Sequence, residues 1–121
     1  VKKILIAEDS STMRSLLVAT IEFLDGYRIV EASSGFEALR LLPRETVDLI
    51  ITDINMPDIN GLELVSFVRG SDLYRHIPLF IISTEGSERD REKGLALGAD
   101  EYLVKPFDPA RLRELIVQYT S

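Results

Sequence analysis

Leu49-Ile50-Ile51-Thr52-Asp53-Ile54-Asn55-Met56-Pro57 runs from an apolar strand into a carboxylate and stops at a proline. With Val47 ahead of it, the run is bulky, rich in β-branched residues and broken only by Asp48. Such a run fits a strand covered on both faces of a sheet. Pro57 forbids ladder pairing beyond it. Asp53 is therefore expected at the carboxyl end of a central strand, on the rim where open α/β sheets bind ligands. The plain alternative is that Asp53 only opens a polar turn. The rest of the chain decides between the two.

Outward from this strand the pattern repeats. Lys2 to Ala7 reads as a first strand, ended by Glu8 and Asp9. A helix starts at Ser10 or Ser11, a serine serving as N-cap. Its buried face is Met13, Leu16, Leu17, Thr20, Ile21 and Leu24, and Gly26 stops it. Tyr27 to Ala32 is the second strand. Ser34-Gly35-Phe36-Glu37 has the spacing of a capping box for a helix that ends before Pro43. Val47 to Thr52 is the third strand, and a helix from Gly61 turns Leu64, Val65 and Val68 inward. Ile77 to Ile82 is the fourth strand, left through Ser83-Thr84-Glu85-Gly86. Ser87 caps a helix that Gly98 closes. Asp100 to Val104 is the fifth strand. Asp108 caps and Pro109 opens the last helix, whose inner stripe is Leu112, Leu115, Ile116 and Tyr119.

Strand and helix alternate five times with short loops. That predicts an α/β fold: a doubly wound parallel sheet between two helix layers, with right-handed crossovers and strand order 2-1-3-4-5. The 121 residues suit one domain spanning 1–121. Hydrophobic residues make up 45% and charged ones 28%, the balance of a globular chain. The net charge of −6, with no basic tract, argues against a grip on nucleic acid or an anionic membrane. Apolar runs are far short of a membrane span. There is no cysteine, hence no disulfide framework and no thiolate metal site. No cleavable signal is visible, and the expected setting is cytoplasmic. The start at Val1 rather than Met suggests a chain processed or cut from something longer.

Several reactive groups fall just past strand ends. Glu8 and Asp9 follow the first strand, Asp53 and Asn55 the third, Ser83 and Thr84 the fourth, and Lys105 the fifth. In the order 2-1-3-4-5 the first and third strands are neighbours, so three carboxylates converge. Crowded carboxylates repel, and one takes up a proton unless a cation is present. Three negative charges against the Lys105 ammonium leave two, which match a divalent cation. All candidate ligands are oxygens, so Mg²⁺ or Mn²⁺ is favoured over zinc. A metal, a carboxylate, a hydroxyl and a lysine around one point suit phosphoryl transfer, with a carboxylate as nucleophile.

These residues resemble the receiver domain of two-component response regulators, CheY-like in type, a flavodoxin-like fold. The resemblance runs from about Lys2 to Tyr119. It lies in Glu8-Asp9, in Asp53-Ile54-Asn55-Met56-Pro57 followed by Asn60-Gly61, in Ser83, in Gly98-Ala99-Asp100 and in Lys105-Pro106-Phe107. It implies that Asp53 accepts a phosphoryl group from a histidine kinase. Asp9 would ligate Mg²⁺ directly, Glu8 directly or through water, and Asn55 through its backbone carbonyl. Ser83, Thr84 and Lys105 would contact the phosphoryl group, and the bond from Lys105 to Pro106 would be cis. Tyr102 falls at the aromatic switch position that follows Ser83. The output surface would be the fourth helix, fifth strand and fifth helix.

Departures from the family are small. Glu8 stands where Asp is commoner, Ser83 where Thr is commoner, and Thr84 where a smaller alanine is often found. Asn55 and Glu85 match the chemotaxis type at positions that tune dephosphorylation, which implies a short-lived phosphoryl state. The implied function is a phosphorylatable switch that turns over no external substrate. A stand-alone chemotaxis-type regulator would bind a downstream target such as the flagellar motor switch. The alternatives are a receiver cut from a larger regulator or hybrid kinase, an interaction-only pseudo-receiver, and a Mg²⁺-dependent aspartyl phosphatase. The phosphatase would want its nucleophile after the first strand and a cap, for which no insertion is long enough. Flavin binding is disfavoured because the loop after the first strand is acidic where a phosphate cradle needs glycine and backbone amides. His76 and the charged run Glu88 to Lys93 read most simply as solvated surface.

Overall fold

Strands and helices alternate through the computed structural model, which describes residues 1–121. They are β1 (Lys2–Ala7), α1 (Ser11–Glu22), β2 (Tyr27–Ala32), α2 (Gly35–Leu41), β3 (Leu49–Thr52), α3 (Gly61–Gly70), β4 (Leu79–Ser83), α4 (Glu88–Leu97), β5 (Glu101–Val104) and α5 (Pro109–Thr120). The five strands form one parallel sheet in the order β2-β1-β3-β4-β5, as the alternation predicts. No helix is long and apolar enough to cross a membrane.

The inner strands β1, β3 and β4 feed both faces, which is why their sequences are continuous rather than alternating. Leu5, Ile50, Leu79 and Ile81 pack with Leu64, Val65 and Val68 of α3 on one face. Ile4, Ile6, Leu49, Ile51, Phe80 and Ile82 pack with Leu17 and Ile21 of α1 and Leu112, Leu115 and Ile116 of α5 on the other. Each such buried aliphatic side chain contributes roughly 1.5–3 kcal/mol over exposure.

Several sequence expectations are corrected locally. β3 starts at Leu49, because Asp48 turns its carboxylate back to accept the Lys3 N–H at 2.8 Å; Val47 is buried outside the strand. β4 starts at Leu79, since the Ile77 N–H is taken by the turn carbonyl of Tyr74 and its own carbonyl by Arg69. β5 starts at Glu101, one residue late, with Asp100 turned to cap β4 and bind Arg69. Leu16 is 47% exposed, because α1 has only the α5 and sheet sides to cover. The capping box at Ser34 is half-formed: Ser34 Oγ accepts the Glu37 N–H, but the Glu37 carboxylate accepts the Ser33 N–H instead. The complete capping box is at α3, between Asn60 and Glu63.

Arg69 near the end of α3 ties three elements together at the foot of the sheet. Its Nε donates to the Gly98 carbonyl (2.8 Å), Nη1 to the carbonyls of Ile77 (2.8 Å) and Arg75 (3.1 Å), and Nη2 to Asp100 Oδ2 (2.8 Å). The same Asp100 oxygen accepts the Leu79 N–H that opens β4.

Candidate phosphoacceptor site

Register builds the site. Ala7 pairs with Thr52 across β1 and β3, so Glu8 and Asp53 both lie one step past that pair, and the Asp53 N–H donates to the Ala7 carbonyl at 3.0 Å. Ser83 pairs with Val104 across β4 and β5, so Lys105 follows one step on. The Lys105–Pro106 peptide is cis.

Glu8, Asp9 and Asp53 offer carboxylate oxygens that all lie within 4.8 Å of one another. Lys105 Nζ donates to Glu8 Oε1 at 2.8 Å and to Asp53 Oδ2 at 3.2 Å. Asp53 Oδ1 accepts the Ile54 N–H at 2.7 Å. Glu8 is held in place: its second carboxylate oxygen accepts the Ser10 N–H, and its backbone carbonyl accepts Arg14 Nη1 at 2.8 Å. Asp9 is exposed and receives no protein donor, which leaves it free for a cation. Every donor atom in the group is a hard oxygen, and the uncompensated negative charge persists after Lys105 is counted. The residues therefore fit a magnesium-sized dication.

The titration behaviour reflects the same charge excess. Burial, with the Asp53 charge behind it, pushes the Glu8 carboxyl above its ordinary value although the Lys105 hydrogen bond opposes this. Burial also pulls Lys105 down, but the Glu8 hydrogen bond and the Asp53 and Glu8 charges outweigh it and hold the ammonium above its ordinary value. An acid and a base raised together is what a net-negative site produces.

The remaining predicted residues frame the mouth. Ser83 is fully buried, and its Oγ accepts the Glu85 N–H at 3.1 Å, which leaves its own proton free to donate. Thr84 is exposed on the lip. Asn55 is exposed and donates from Nδ2 to Glu85 Oε1 at 3.2 Å, a bridge between the β3 and β4 exits. Tyr102 is only 4% exposed, and its hydroxyl donates to the Glu85 carbonyl. Burial pushes its phenol above the usual tyrosine range. His76 is exposed in the loop before β4, away from the acidic rim.

Two further residues support the site without touching its chemistry. Gly61 opens α3 against the Asp53 backbone, where a Cβ would stand 2.0 Å from the Asp53 carbonyl oxygen. Its N–H donates to the Ile54 carbonyl. Arg14, one turn into α1, fastens the Glu8 carbonyl and also pairs with Glu31 near the end of β2. Its place in a helical first turn was visible, but its reach back to the strand end was not. The largest surface groove, about 530 Å³ between the end of α1 and α5, contains none of the site residues.

Comparison with known proteins agrees with this geometry. The response regulator receiver domain family matches residues 4–117. A chemotaxis protein CheY homolog of Campylobacter jejuni is 42% identical over 113 residues, covering 93% of this chain and 87% of that one. The structure of the Vibrio cholerae chemotaxis response regulator CheY4 superposes with a TM-score of 0.88 at 34% identity, covering 98% of each chain. The receiver domain of a Pseudomonas aeruginosa sensor histidine kinase, solved with a magnesium ion coordinated in its active-site cleft, gives 0.88 at 28% identity, covering 98% of this chain and 97% of that one. With its strand order, its acidic rim and its matching sequence, the chain belongs to the response regulator receiver family.

Proposed function

We propose that Asp53 accepts a phosphoryl group from the phosphohistidine of a histidine kinase, and that the chain works as a switch controlled by that group. The observation that carries this is the convergence of Asp53, two further carboxylates and the Lys105 ammonium at one point on the sheet rim. A carboxylate oxygen of Asp53 attacks phosphorus; the P–O bond forms as the P–N bond to imidazole breaks, and the leaving imidazole keeps the electron pair and takes up a proton. Lys105 turns from its carboxylate partners to a phosphoryl oxygen. Ser83 donates its free hydroxyl proton to another, beside Thr84. Glu8, Asp9, Asp53 and the Asn55 carbonyl would hold Mg²⁺, which when bound offsets charge on the phosphoryl oxygens.

The added group brings charge and strong acceptors to the β4 exit. Ser83 and Tyr102 are the residues there whose hydrogen bonds meet at Glu85. The α4–β5–α5 face is read as the output surface, biased between two arrangements that both exist beforehand. No external substrate is turned over. The chemotaxis relatives support a cytoplasmic role in that pathway, with a downstream protein such as the flagellar motor switch as the partner. A phosphatase reading finds no cap, since no connection is longer than residues 53–60 and 71–78.

Intact mass after incubation with Mg²⁺ and acetyl phosphate tests the reading. One phosphoryl adduct is expected, dependent on Mg²⁺ and absent from Asp53→Asn. A folded, Mg²⁺-binding wild-type chain that takes neither a phosphoryl group nor beryllofluoride would refute it.

A further inference from the structure

Helix α4 buries little of itself: it packs beside α3, and Leu95 is only partly buried against the core. The run Glu88-Arg89-Asp90-Arg91-Glu92-Lys93 is charged throughout, and the one buried residue of the whole helix is Gly94. A ten-residue helix is marginal in water without a packed face. Its attachments to β5 converge on one residue, Tyr102. The Tyr102 carbonyl accepts Arg91 Nη1 at 3.0 Å, and the Tyr102 hydroxyl donates to the Glu85 carbonyl just ahead of the helix. The ring itself lies against Gly94.

Glycine at this position has no conformational reason. Only Gly26 and Gly98 have positive φ, so Gly94 keeps an ordinary helical backbone that any residue adopts. Glycine is also a poor helix former, and alanine is the best. The reason is space. A Cβ on residue 94 would stand 3.0 and 3.2 Å from Cδ2 and Cε2 of the Tyr102 ring and 2.9 Å from Cδ1 of Ile81. Carbon atoms sit comfortably at about 3.5–4.0 Å. Ile81 is fully buried on the inner strand β4, so its methyl can yield only by shifting within a close-packed core. Tyr102 is on the edge strand β5, which has a strand neighbour on one side only.

We propose that Gly94 is a positioning residue for the switch: the side chain it lacks is the seat of the inward Tyr102 ring, so residue 94 sets the balance between ring-in and ring-out arrangements. This rests on the reading above, in which Ser83 and Tyr102 carry the phosphorylation signal to α4. Any side chain at 94 pushes the ring out, and phosphorylation then has to work against that bias.

The test uses the full chain labelled with 3-fluorotyrosine, with the Tyr102 fluorine signal assigned by its loss in Tyr102→Phe. Gly94→Ala is compared with Gly70→Ala, which makes the same replacement at the end of α3 where nothing lies within 4 Å. In the unphosphorylated protein, Gly94→Ala should move the Tyr102 signal toward that of free tyrosine and enlarge its shift between H₂O and D₂O. Gly70→Ala should do neither. The acetyl phosphate needed for half-conversion should rise on the order of tenfold in Gly94→Ala, the scale of a core overpacking penalty. An unmoved Tyr102 signal in Gly94→Ala overturns the proposal, as does an equal movement in Gly70→Ala. If even the wild type takes no phosphoryl group, the reading of Asp53 fails, while the fluorine comparison still decides the role of Gly94.

Discussion

Replacing Lys105 with methionine in divalent-free buffer isolates the electrostatics of the rim. Methionine keeps most of the apolar stem, so the change is mainly the loss of the ammonium. The side chains of Lys105, Glu8 and Asp53 are 10%, 2% and 8% exposed, so no solvent replaces the lost cation cheaply. Removing one partner of such a buried pair costs about 3–5 kcal/mol. Glu8 has an escape that sets a ceiling, because it can take up a proton. At pH 7 that costs at most about 3.4 kcal/mol for a carboxyl of ordinary pKa 4.5, at about 1.36 kcal/mol per pH unit. At pH 5 the same ceiling is about 0.7 kcal/mol. The sign follows from the folded chain binding this proton more tightly than the unfolded one. Stability is therefore lost as pH rises above 4.5 and recovered as pH falls. Lys105→Met should be about 2–3 kcal/mol less stable than wild type at pH 7 and less than about 1 kcal/mol at pH 5. Urea unfolding followed by circular dichroism in EDTA reads both values. Adding Glu8→Gln should recover most of the loss at pH 7. An equal deficit at both pH values would refute the reasoning and assign the effect to packing.

Gly61→Ala should lose about 3 kcal/mol in urea unfolding, the upper end of overpacking penalties, because the added carbon meets the Asp53 carbonyl rather than a side chain that can rotate. It should also slow phosphorylation, since Asp53 is carried on that backbone. Tyr119 donates to Glu101 Oε2 at 2.6 Å, and that bond pushes its phenol up to about 12. The stabilisation is complete below pH 10 and disappears as pH rises through about 12. A spectrophotometric titration should show a tyrosinate step near pH 12 that Tyr119→Phe abolishes.

Parallel strands covered on both faces leave a plain mark in sequence, and β1, β3 and β4 carry it in Ile4-Leu5-Ile6, Leu49-Ile50-Ile51 and Phe80-Ile81-Ile82. The strand order then brings Glu8, Asp9, Asp53, Ser83 and Lys105 together without any distance being known. Boundaries were less visible, because apolar residues such as Val47 and Ile77 are buried whether or not they pair in the sheet. Leu16 shows the converse, since helical spacing marks a stripe without saying how wide its cover is. The capping box at α3 was readable as Asn60 followed by Glu63, yet Ser34 with Glu37 has the same spacing and closes onto Ser33 instead. Gly61 was marked as the start of a helix and by its motif, but the close approach that requires glycine there, and the one at Gly94, were not readable. Each is defined by an atom belonging to a distant stretch of chain, and glycine carries no pattern that names its neighbour.

The Arg69 junction has a mechanical consequence. It grips the Gly98 carbonyl directly behind α4, while ahead of α4 the segment Thr84 to Ser87 is exposed. The foot is thus fixed by Arg69, while the head is held through Glu85, which bonds with Ser83, Asn55 and Tyr102. Ten residues span about 15 Å, so a tilt of about 10° carries the Glu88 tip about 2.6 Å while Leu97 scarcely moves. On the proposed switching of this face, a partner that grips the tip of α4 would receive the full stroke, and one that grips the foot almost none.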